Sequence, residues 1–139
     1  MSDQNKVLVR RWFKEVWTDG RAASIDALMA PSCIVHGLGG GEMRGPDAFK
    51  PFHSAYRNAF PDVKITIDDM VADGDIVAAR WSGTATHSGD GLGFPATGKQ
   101  VRLSGMTFTR IENGRLVEGW NTFDQLSMLQ QLGVVNLPG

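Results

Sequence analysis

The sequence predicts an α+β domain, with helices first and an antiparallel meander after them, the helices lying on one face of a bent sheet. Two observations carry that expectation. Apolar residues recur at three- and four-residue steps as far as Phe60, and from Val63 onward they alternate with polar ones. The later segments are joined by short turn-forming strings, Asp73-Gly74-Asp75 and Asn113-Gly114, which demand antiparallel neighbours.

Over 7–17 the residues Leu8, Trp12, Phe13, Val16 and Trp17 make one stripe of a helix, with Asp3 as its cap and Asp19-Gly20 as its stop. Ile25, Leu28 and Met29 predict a second, shorter helix ended by Pro31. The run 33–38 is rich in strand formers and dissolves into Gly39-Gly40-Gly41, a strand followed by a loop. Gly45-Pro46-Asp47 opens a third helix that carries Phe49, Phe52, Tyr56 and Phe60 on one face, with Pro51 placed to kink it and Pro61-Asp62 to end it. Four long strands follow, at 63–72, 76–87, 99–112 and 115–123. A short C-terminal helix begins after Asp124, in Gln125-Leu126-Ser127-Met128-Leu129.

Composition narrows the function classes. The 139 residues, 42% hydrophobic and 21% charged, fit a single globular domain over 1–139. A formal net charge of -1 gives no electrostatic pull toward a polyanion, which argues against nucleic acid as a partner. Nowhere do about eighteen apolar residues run together, so no membrane span is expected, and the first residues contain no apolar leader-like core, which points to a cytoplasmic protein. Cys33 is the single cysteine and reads as a packed thiol. His36, His53 and His87 stand at no metal-binding step, so no metal site is expected. Gly93-Phe94-Pro95-Ala96-Thr97-Gly98-Lys99 resembles a phosphate-binding loop, yet Gln100 replaces the hydroxyl residue and a strand follows where a helix is needed.

The candidate site comes from the last hairpin. A two-residue turn at Asn113-Gly114 pairs Arg110 with Val117, Thr107 with Trp120 and Leu103 with Asp124. On that register Glu118, Trp120, Thr122 and Asp124 share a face with Thr107, and Gly105 leaves space for a ligand between Leu103 and Thr107. Trp12, Tyr56, Phe60 and Trp120 are then candidate cavity walls, although aromatic residues at such spacing also serve simply as core. Asp124 has two readings, a helix cap or a proton-transfer group in an apolar pocket, and the two would shift its pKa in opposite directions. His36, alternating with Ile34, reads as a packing residue or, with Asp124, as a catalytic group.

Several strings occur together in order: Ala59-Phe60-Pro61-Asp62, Gly74-Asp75-Ile76-Val77, Gly83-Thr84 through Thr86-His87, Pro95 to Lys99, and Gly114-Arg115-Leu116-Val117-Glu118 with Trp120 and Asp124. In these the chain resembles the SnoaL-like polyketide cyclase (ester cyclase) family, within the nuclear-transport-factor-like cone superfamily. The resemblance implies a curved, mainly antiparallel sheet with three helices packed on its concave face. It also implies an intramolecular aldol ring closure on a small hydrophobic substrate, with no metal or organic cofactor, and pairing into a homodimer through the sheet's outer face. Asp124 matches the family's acid–base aspartate, and His36 resembles a cavity-facing histidine. The polar helpers that the family places on the neighbouring strand are depleted here, where Leu103, Gly105 and Thr107 stand. An epoxide hydrolase of the same fold would need an Asp two residues after Arg80, which is absent, and would need Arg102 or Arg110 on the face of Asp124. An isomerase would need Tyr56 at its oxyanion. A non-catalytic binding domain would use Asp124 only as a cap.

Overall fold

The computed structural model describes residues 2–39 and 41–136. Helix α1, Ser2–Arg11, runs directly into a π-helical segment, Trp12–Thr18. That wider turn is closed by the Asp19 N–H on the Lys14 carbonyl, five residues back. Asp3 therefore lies inside the first turn of α1 instead of capping it, where its charge still suits the positive end of the helix. The π-helical turn brings Trp12, Phe13 and Val16 into the core together.

Helix α2 spans Ala22–Leu28 and strand β1 spans Met29–His36. The expected helix over Met29 with a stop at Pro31 is thus corrected: Met29 already belongs to the strand and Pro31 sits within it. Proline has no N–H to give to a ladder, and the pairing of β1 is interrupted between Met29 and Ile34, where Pro31 lies. A two-residue strand β2, Met43–Arg44, pairs with β1 and leads into α3, Gly45–Ala59, which carries Pro51 as expected. The four long strands, β3 (Lys64–Asp73), β4 (Ile76–Thr86), β5 (Gln100–Glu112) and β6 (Arg115–Phe123), agree with the sequence expectation to within one residue at each end. Helix α4, Gln125–Gln131, closes the domain.

The sheet has the order β2-β1-β6-β5-β4-β3 and is not closed. All neighbours are antiparallel except β1 and β6, which run parallel, so the first long strand crosses the molecule to lie beside the last. The helices and the inner face of this curved sheet make an α+β cone. Its larger core cluster joins Trp12, Phe13, Ile25 and Phe49 to Val77 and Ile111, and a smaller one gathers Phe60, Leu103, Met128 and Leu132 at the end covered by α4. Among the described residues no helix is long and apolar enough to cross a membrane.

The β5–β6 hairpin decides which side chains face inward. Asn113 and Gly114 both adopt positive φ, 53° and 73°, as a tight two-residue turn requires. Glu112 pairs with Arg115 and Ile111 with Leu116, but a bulge then admits Val117 as an extra residue, and Arg110 pairs with Glu118. From there Thr107 opposes Asn121, not Trp120, and Gly105 opposes Phe123. A one-residue slip exchanges the faces of everything beyond it. Gly119, Asn121 and Phe123 point inward, while Trp120 and Thr122 point out.

Candidate functional site

Between the helices and the inner sheet lies a cavity of about 100 Å³. Aromatic side chains from the π-helical segment and α3 make one wall, with Trp12 and Phe49 at 5.4 Å and Trp17 edge-on to Phe49. Across from them β6 contributes Phe123, which meets the Tyr56 ring edge-on at 5.9 Å. The aromatic spacing on α3, which puts Phe49, Phe52 and Tyr56 on one face, supplies this lining together with Phe60, which follows the last helical residue.

Of the residues expected at the site, Trp12, Tyr56, Phe60 and Thr107 line the cavity, whereas Trp120, His36 and Asp124 do not. Trp120 is turned outward by the bulge and stacks on the His36 ring at 5.6 Å, with the Arg110 guanidinium 5.4 Å from its own ring. The His36 imidazole lies on the same outer side, its Nε2 2.7 Å from a Glu118 carboxylate oxygen. The Asp124 carboxylate is exposed and accepts the Ser127 backbone N–H at 2.9 Å, which caps α4. The space expected over Gly105 is occupied by the Trp81 indole, with which a Cβ on Gly105 would collide.

Where Trp120 was expected, the structure places Asn121. Its Nδ2 donates to the His36 backbone carbonyl at 3.0 Å, and a carbonyl only accepts, so the amide orientation is fixed with Oδ1 toward β5. Oδ1 accepts the Thr107 hydroxyl at 3.1 Å, and that hydroxyl accepts the Trp81 Nε1–H at 3.2 Å. The chain Trp81–Thr107–Asn121 therefore runs in one direction and ends on a strand backbone. Asn121, Thr109, Gly119 and Trp81 all line the cavity and were not anticipated as site residues. Only the bulge at Val117 could have revealed Asn121 and Gly119, because both faces of β6 mix polar and apolar residues, whereas Thr109 follows Thr107 by two residues on the same face of β5.

No carboxylate or imidazole lines the cavity among the described residues. Burial pushes the Cys33 thiol up to about 11, with Glu118 adding to the effect, so it stays protonated and is a poor nucleophile. Burial also raises the Tyr56 phenol, an effect partly offset by the Gln125 amide, which donates to its oxygen at 3.2 Å. The arrangement can enclose an apolar molecule and address its polar atoms from one corner, where Thr107, Thr109 and Asn121 meet.

Comparison with known proteins agrees with this architecture. The family model of the SnoaL-like polyketide cyclase matches residues 7–132. A candidate polyketide cyclase from Acidithiobacillus ferrooxidans is 34% identical, with 94% of each chain covered and a TM-score of 0.80. IdmH from Streptomyces antibioticus, likewise a candidate polyketide cyclase, is 29% identical over 94% of this chain and 99% of its own, with a TM-score of 0.81. A SnoaL-like protein from Jannaschia sp. CCS1 shares the fold with a TM-score of 0.88 at 22% identity, over 98% of this chain and 96% of its own. No curated protein sequence matches the chain. Family model, identity and fold agree: the chain belongs to the SnoaL-like polyketide cyclase family.

Proposed function

We propose that the cavity takes up a small, mainly apolar molecule bearing a carbonyl oxygen, and that the helix aromatics and β6 hold it in one orientation. The observation that carries this reading is the lining itself: aromatic and aliphatic walls with a single polar corner, the usual composition of a small-molecule site. A cavity of about 100 Å³ suits a guest of one ring or a short chain; a fused-ring polyketide would have to part the walls. Three tryptophans, Trp12, Trp17 and Trp81, border the space and report on it. Titration with acetophenone should change their fluorescence saturably, and Val35→Phe, which fills the cavity, should abolish the response. A response that the filled variant retains would mean that the ketone binds elsewhere.

Family membership supports a second reading, the intramolecular aldol closure with Asp124 as acid and base and His36 as donor. It asks the carboxylate to leave the Ser127 N–H and the imidazole to leave Glu118. Retention of polyaromatic ketones by both wild type and Asp124→Asn, with turnover in the wild type alone, is its signature. Equal turnover in both would remove Asp124 from the chemistry. The reading also extends to a homodimer formed through the sheet's outer face, where Val71, Met106 and Phe108 are exposed.

A further inference from the structure

Three glycines, Gly83, Gly105 and Gly119, stand on the inner face of the sheet. The protein itself accounts for two of them. A Cβ on Gly83 would lie 2.8 Å from the Ile65 Cδ1, and one on Gly105 would run into the Trp81 indole. At Gly119 the nearest atoms to an added Cβ are the Asn121 Nδ2 at 3.7 Å and the Phe108 carbonyl oxygen at 3.9 Å, which is ordinary contact. Gly119 is also not among the positive-φ glycines. Neither packing nor backbone conformation requires a glycine there, yet its missing side chain leaves cavity space open.

Two hydrogen-bond donors flank that space. Thr109 pairs with Gly119 across the hairpin, is 3% exposed and lines the cavity, and its hydroxyl has no side-chain partner among the described residues. Asn121 uses one Nδ2–H on the His36 carbonyl and retains a second, on the nitrogen beside the Gly119 site. Thr107, by contrast, spends its proton on Asn121. We propose that the space over Gly119 is a niche for one carbonyl oxygen of the bound molecule, held by the Thr109 hydroxyl and the free amide N–H of Asn121. The proposal rests on the reading that the cavity takes a small apolar guest, and it specifies the class: a ketone or ester. A carbonyl oxygen accepts twice and donates nothing, which matches two donors. No cation lines the cavity among the described residues, so a carboxylate would be stripped of water without compensation.

The test compares acetophenone with ethylbenzene, a hydrocarbon of similar shape, by tryptophan fluorescence on wild type, Thr109→Val and Gly119→Ala. Wild type should prefer the ketone. Thr109→Val should lower ketone affinity roughly three- to tenfold, the range for losing one hydrogen bond, and leave ethylbenzene unaffected. Gly119→Ala should also weaken ketone binding while its melting temperature holds or rises, because alanine costs less chain entropy in a strand than glycine. A residue needed only for packing would not separate stability from affinity in this way. Thr109→Val and Gly119→Ala proteins that bind the ketone as wild type does would overturn the niche and leave the cavity reading intact. A wild type that binds neither probe would overturn both.

Discussion

At the scale of single residues, Asp124 shows how one side chain's direction decides its chemistry. Held on the Ser127 N–H and exposed, it satisfies a helix end that would otherwise be left open. Asp124→Ala should cost about 1 kcal/mol of stability, and Asp124→Asn much less, since asparagine caps nearly as well. Urea denaturation of the two variants checks this, and equal losses would contradict the cap. That Asp124 precedes a helix was legible in the sequence. Which way it points was not, because its face depends on a bulge seven residues upstream that no turn or period announces. The same hidden residue concealed Asn121 and brought Trp120 forward in its place, whereas Thr107, on the regular strand, was placed correctly.

Among the elements, the contact between α3 and the π-helical segment should weaken in acid. His53 on α3 donates its Nε2–H to the Val16 carbonyl at 2.6 Å, at a buried position. Burial lowers its pKa below the ordinary 6.5, and the Arg57 charge adds to this, while the Val16 carbonyl works the other way. The unfolded chain then takes up the proton first as pH falls. Stability from this group is full above about pH 6.5 and declines as pH drops from there toward the lowered folded value. Melting temperature followed between pH 8 and pH 5 should fall on the acid side, with a smaller fall in His53→Gln. Identical profiles would place the acid sensitivity in another group. The long strands were legible because alternation sustained over ten residues fits a half-buried strand and no helical period. The π-helical turn was not, since three- and four-residue steps fit both helix types, and Pro31 mimicked a helix stop while occupying an interruption in a strand.

Over the whole molecule, the outer sheet surface carries a transverse row in which Val71, Ala78, Phe108, Trp120 and His36 are successive cross-strand partners on five strands. Val71 is 66% exposed and Phe108 56%, a large apolar exposure for a folded surface. Light scattering at micromolar concentration should give the mass of a dimer for the wild type and of a monomer for Phe108→Glu; a monomeric wild type would leave this face without its expected partner. One residue at the end of the row belongs to both sides of the molecule. The His36 ring sits outside with Trp120 and Glu118, while its peptide oxygen grips the amide that borders the interior hollow. A subunit pressing on the exterior and a guest lodged within would thus tug on the same link, and by reciprocity, whatever the first does for the second, the second returns.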